Sequence, residues 1–172
     1  MGYQTEFQGH FTLNKPLHRV HAEYLKAFAG TRRMKRDPKI AETLPDPIRY
    51  AVDLPIGQDG EFFVGNSNDN DFGQTNDKSI VSFNEHPKTQ PGLWCQWEIS
   101  EDGTELSWNG GEKFYNYTAW LKYLIKNFFE PWKKKLTGEI NWYGEDRDDI
   151  GKIKVRNNDV FVFDGEITFG DE

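Results

Sequence analysis

Cysteine is nearly absent from this chain of 172 residues; Cys95 stands alone. A single thiol closes no intramolecular disulfide and makes no zinc site by itself. Long hydrophobic runs are missing too: mean hydropathy is −0.81, and no stretch approaches the ~18 apolar residues of a membrane-crossing helix. The opening MGYQTEFQGHF lacks a basic segment followed by an apolar one, so no secretory leader is expected. Glu6 stands where a myristoylation pattern wants Ser or Thr. These absences point to a cytoplasmic protein without a membrane partner. Positive charge is in deficit, with 21 Lys and Arg against 28 Asp and Glu, a net −7. That argues against general nucleic-acid binding but leaves room for a local basic patch.

Catalytic and cofactor motifs are also missing. No G-x-G-x-x-G, G-x-x-x-x-G-K-[ST] or G-x-S-x-G occurs. His10-Phe11-Thr12 is half of a two-histidine phosphoesterase site, which needs one His as base and another as acid. The second H-x-[ST] is not there, since Arg19-Val20, Ala22-Glu23 and Pro87-Lys88 follow the other histidines. His18 and His21 have ligand spacing on a helix but no third ligand, so a solvated pair is expected. Asn68-Asp69-Asn70-Asp71 matches a calcium loop in composition only, because Gly73 is misplaced for the turn. The cluster Glu145, Asp146, Asp148 and Asp149 has ligands for Mg²⁺ or Ca²⁺ but reads first as a solvated turn. No metal or cofactor is therefore implied.

Aromatic residues are abundant, at 15% of the chain. Disordered chains are poor in aromatics, so this one folds, and its length suits one domain over residues 1–172. Residues 4–13 predict a strand, with Phe7 and Phe11 on its apolar side and Gly9 at a bulge or close approach. Val20, Tyr24, Leu25 and Phe28 predict a helix from His18 to Ala29, ended by Gly30. Pro38, Pro45 and Pro47 then cut the chain into loop and turn. Short strands are expected at 61–64 and 79–83, the latter inside a polar stretch spanning 66–92. LWCQWEIS and TELSW flank Asp102-Gly103, a hairpin signal. Phe114, Tyr117, Leu121, Leu124, Ile125 and Phe128 predict a second helix over about 112–130, starting near Asn109 or Gly110 and stopped by Pro131. Strands follow at 138–144, 151–155 and 159–169, with Asn157-Asn158 turning between the last two. Two β-α-β units in series predict a ferredoxin-like α+β sandwich. It would have an antiparallel sheet, both helices on one face, and an added C-terminal hairpin.

Arg32, Arg33, Lys35 and Arg36 place four cations within five residues of an acidic chain. Arginine offers a planar donor fork suited to phosphate or carboxylate. Trp94, Trp97 and Tyr115 are aromatic faces on which a planar group can stack. Together they form a candidate ligand-binding set, with a solvated charged loop as the alternative.

Met1-Gly2-Tyr3-Gln4-Thr5-Glu6-Phe7-Gln8-Gly9 at one end, and Gly138–Glu145 with Asp149–Val155 near the other, resemble a family of small proteins encoded by bacteria and their phages. Gln90–Trp97 and Glu112–Tyr115 are similar to its longer members. The resemblance covers about half of the chain in short motifs and brings no assigned activity, cofactor or catalytic residue. It implies a cytosolic protein, and a phage origin implies an accessory role against host defence.

The resulting expectation is a non-catalytic binding protein for a small anionic or nucleotide ligand, sequestering a host signal if phage-encoded. The site would require two or more of the basic head groups to converge on one electropositive concavity lined by an aromatic face. If they diverge, the rival reading takes over: a module that binds or inhibits a host protein, with the acidic turn and the 66–92 loop engaging its partner. A phosphodiester-acting enzyme built on His10 and Thr12 is the third reading, and a homo-oligomer is compatible with the first two.

Overall fold

The computed structural model describes residues 2–66 and 72–166. In chain order these form β1 (Thr5–Leu13), α1 (Arg19–Ala29), β2 (Lys35–Arg36), α2 (Pro38–Ala41), α3 (Pro47–Tyr50), β3 (Ile80–Ser82), β4 (Trp97–Ile99) and β5 (Glu105–Trp108). Then come α4 (Tyr117–Leu124), β6 (Leu136–Gly144), β7 (Ile150–Arg156) and β8 (Asp159–Asp164). The fold is α+β.

Six strands make one sheet in the order β4-β5-β1-β6-β7-β8, and every neighbouring pair is antiparallel. The chain leaves β1 through α1 and returns two places away at β4. It leaves β5 through α4 and returns two places away at β6. β1 is central because its alternation suits it: Phe7, Phe11 and Leu13 are buried on one face, while Gln8, His10 and Thr12 meet solvent on the other. The buried face joins Tyr24 and Phe28 of α1 and Trp120 and Leu124 of α4 in one hydrophobic cluster.

The β1–β6 pairing depends on two glycines. Gly9 (φ 110°) and Gly138 (φ 150°) lie where a Cβ would stand 2.6 Å from the Glu139 carbonyl and 2.7 Å from the His10 carbonyl. The pairing continues unbroken through Gly9, so that residue marks a close approach and not a bulge.

The second helix starts later than its apolar spacing predicts. Lys113 and Asn116 both have φ 57°, which keeps the chain non-helical until Tyr117. Phe114 is buried from this preceding loop. Leu121, Leu124, Ile125 and Phe128 are buried as the stripe requires, with Lys122 and Lys126 outside. Past Leu124 the helix widens over Ile125–Phe129, where Glu130 N–H donates to the Ile125 carbonyl at 2.8 Å. The wider turn shifts the helical phase, so adjacent Phe128 and Phe129 both point inward.

Elsewhere the structure corrects the expectations. Val20, assigned to the apolar stripe of α1, is exposed. Pro38 and Pro47 do not simply break the chain; each opens one helical turn, and Asp37 caps α2 by accepting from Lys39 N–H. Residues 61–64 are buried without forming a strand. Ile80–Ser82 is a strand but pairs with β2 in a separate two-stranded sheet. Of the stretch 93–100 only Trp97–Ile99 joins the main sheet. The last strand is described to Asp164; the end of its predicted span at 167–169 and the Asn68–Asp71 run lie outside the described residues. Both hairpin turns form as predicted: Gly103 has φ 75°, and Asn157 and Asn158 have φ 46° and 73°.

Candidate functional site

The segment between α1 and β4 has little regular structure, so its backbone carbonyls need donors from elsewhere. Buried arginines supply them. Arg33 is 4% exposed and donates to the carbonyls of Glu61 and Phe63 and to the Thr31 hydroxyl. Its guanidinium lies over the Phe28 ring, and burial lowers its pKa. Arg36 is also buried. It pairs with Asp77 at 3.0 Å, donates to Ser79 Oγ and the Gly73 carbonyl, and lies over Phe63. Burial alone pushes the Asp77 carboxyl up, but hydrogen bonds from Ser79 and the Arg36 charge outweigh it and hold it below its ordinary value.

Arg32 donates to the Phe83 carbonyl and Asn84 Oδ1, while Lys35 sits half-buried on β2 opposite Ser82. The basic run therefore does not gather into one anion site. Arg32, Arg33 and Arg36 reach three separate groups of acceptors, and the two best forks are consumed inside the protein. The expected convergence of two or more head groups is not seen among these arginines: no two of them share an acceptor.

A fourth arginine escaped the sequence reading. Arg49 and Asp46 form a fully buried ion pair at 2.5 Å. The other Asp46 oxygen accepts from Val64 N–H and Gly65 N–H, and Arg49 donates to the Leu54 carbonyl. Burial raises the Asp46 pKa against the pull of Arg49 and these N–H groups. The available signal was Asp46-Pro47 with Arg49 three residues on, a helix-start pattern whose side chains can pair.

The aromatic members of the candidate set also separate. Trp97 is buried, and its Nε1 donates to the Tyr117 carbonyl at 2.8 Å. Trp94 is half-buried and meets Phe72 edge-on. Tyr115 is exposed, but its hydroxyl accepts from Tyr3 N–H. The acidic turn is partly structural: Glu145 accepts from Gln4 N–H, and Asp149 accepts from the Tyr3 hydroxyl and Trp142 Nε1.

Among the described residues, no group of three His, Cys, Asp or Glu side chains is placed to share a metal. His21 stacks on Trp132 at 4.0 Å, and burial lowers its pKa, with His18 and Lys134 adding to the effect. Burial pushes the Cys95 thiol up to about 12, which leaves it unreactive. His10 is exposed beside Glu105 at 3.6 Å.

The surface that does assemble binding chemistry lies at the other end of the sheet. On the face turned away from the helices, register sets Lys152 opposite Phe163 and Lys154 opposite Phe161. Asn141 and Glu139 of β6 stand on the other side of these lysines, and Glu139 bridges both at 3.2 and 3.7 Å. Tyr143 is exposed at the end of the same face. A shallow cavity of about 490 Å³ runs over Tyr143, Ile150, Lys152 and Phe163. No family model, curated protein or solved structure matches this chain. The site must therefore be read from its own chemistry.

β8 is the outermost strand. Phe161, Val162 and Phe163 are 47%, 47% and 52% exposed, so both faces of the strand present apolar side chains to solvent. Edge strands are usually blunted by lysine, proline or a bulge. β8 reads DVFVFD and pairs with β7 in unbroken register. Among the described residues, nothing pairs with its outer side. The sequence signal was present in VFVF, but apolar residues in an end strand do not announce which strand borders the sheet.

Proposed function

We propose that this chain is a non-catalytic protein-interaction module that binds an extended segment of another polypeptide along the outer edge of β8. The observation that carries the reading is the unblunted apolar strand at the sheet border. Main-chain hydrogen bonds to such an edge give affinity, and alternate side chains of the added strand meet Phe161 and Phe163 on one face and Val162 on the other. The shallow, open form of this surface favours a polypeptide, because small ligands need concave sites that bury most of their surface. If the chain is phage-encoded, the partner is a host protein that it inhibits.

Support for a ferredoxin-like arrangement comes from the order β4-β5-β1-β6 with its two crossovers through α1 and α4. On that reading, β7 and β8 are an added hairpin that moves the border of the sheet outward.

Immobilised wild-type chain and a Val162→Pro variant test the reading against lysate. Proteins retained by the wild type and lost by the variant are expected; equal retention by both would remove it. A second reading, an anionic ligand with a planar group, draws on Lys152 and Lys154 beside the two phenylalanines. Calorimetric heat from a nucleotide panel, abolished by Phe163→Ala, would favour it instead.

A further inference from the structure

We infer that the strand received by β8 is β8 of a second copy, giving a two-fold dimer whose sheet continues through both chains. This rests on the edge-binding reading above and names what occupies the edge in the free chain, before a foreign segment displaces it.

The two-residue turn Asn157-Asn158 makes Arg156 and Asp159 a directly bonded pair, and bonded pairs then recur at every second residue. The Gly165 N–H to Ile150 carbonyl bond, 2.7 Å, fits that phase. Phe161 and Phe163 therefore spend their main-chain groups on β7. The N–H and C=O groups of Val160, Val162 and Asp164 point away from the sheet.

A two-fold axis perpendicular to the sheet keeps outer face with outer face, so it pairs only residues of like parity. Centred on Val162, it pairs Val162 with its own copy and Val160 with the partner's Asp164. All three outward-pointing residues then bond, making about six inter-chain hydrogen bonds. Centred on Phe161, the axis leaves Asp164 beyond the paired strand.

Side chains favour the same register. Phe161 stands opposite the partner's Phe163, twice by symmetry, and cross-strand aromatic pairs of this kind are stabilising. Asp159 faces the partner's Gly165, so no carboxylate opposes another. The strand is self-complementary, as a two-fold interface requires.

Size and charge set the strength. Half-exposed phenylalanines contribute roughly 100 Å² each, well short of the about 800 Å² per partner of a stable complex. Each chain also carries a net −7, which opposes association. The dimer is therefore weak, reversible and strengthened by salt.

Sedimentation equilibrium of the full chain, from about 5 to about 500 µM, tests this at low and at physiological salt. A mass rising toward two chains is expected, more readily at the higher salt. Val162→Pro should weaken association at least ten-fold without unfolding the chain, since that N–H is not used by β7 and an edge strand accepts proline there. Val81→Asp, on the exposed β3, should leave association unchanged. A chain monomeric at the top concentration, or a Val162→Pro variant that still dimerises like the wild type, overturns the inference. If the wild type is monomeric yet retains lysate proteins that Val162→Pro loses, the second-copy inference fails and edge binding stands. If Val162→Pro alters neither behaviour, both fail.

Discussion

The Arg33 guanidinium lies 4.5 Å from the centre of the Phe28 ring while its nitrogens donate to the carbonyls of Glu61 and Phe63. α1 is thereby fastened to a buried stretch that has no strand or helix of its own. An anion-binding arginine would be replaceable without loss of stability. This one is not.

Arg33→Ala should destabilise the protein by about 2–4 kcal/mol, because two buried carbonyls lose a charged donor and the removed side chain leaves space. Arg33→Lys should recover only part of this, since an ammonium cannot span both carbonyls as the planar fork does. Urea unfolding monitored by tryptophan fluorescence measures both. A loss within about 0.5 kcal/mol for alanine would contradict the stapling role.

Leu124→Ala should cost about 2–5 kcal/mol, the range for removing a large buried aliphatic side chain. Leu124 belongs to the central cluster on the sheet-facing side of α4. Thermal unfolding of the variant, compared with Lys122→Ala on the exposed side, separates burial from helix propensity.

Gly138→Ala should destabilise by about 1–3 kcal/mol despite adding only a methyl group. Backbone at φ 150° and the His10 carbonyl at 2.7 Å both oppose a Cβ there. Gly110→Ala has open space around it, although its φ of 84° also disfavours alanine. The difference between the two variants in denaturant midpoint isolates the close approach.

Acidification should weaken the fold through His21. Its pKa in the folded state lies below the ordinary histidine value, chiefly because of burial, with His18 and Lys134 contributing. The unfolded chain then takes up the proton first. Stability is whole above the unfolded pKa of about 6.5 and declines as pH falls from there toward the folded pKa, below which this contribution changes no further. His21→Gln should flatten that part of the stability–pH curve. An unchanged slope in the variant would assign the effect to other groups.

Local signals in the sequence determined the principal elements. The apolar spacing through Leu121, Leu124, Ile125 and Phe128 and the alternation of β1 encode a buried face by themselves, because helix and strand periods are properties of the backbone. Asp102-Gly103 and Asn157-Asn158 likewise set their hairpins, because such residues tolerate positive φ. Tertiary structure decided what the arginines do. The carbonyls that take up Arg33 belong to residues 28 and 30 positions away, and the Arg36 carboxylate partner is 41 away. A run of cations looks the same in sequence whether its donors meet a ligand or the protein's own backbone. The role of Phe161, Val162 and Phe163 was equally hidden. Burial or exposure of an apolar strand depends on its place in the sheet, and only the order β4-β5-β1-β6-β7-β8 sets this one at the border.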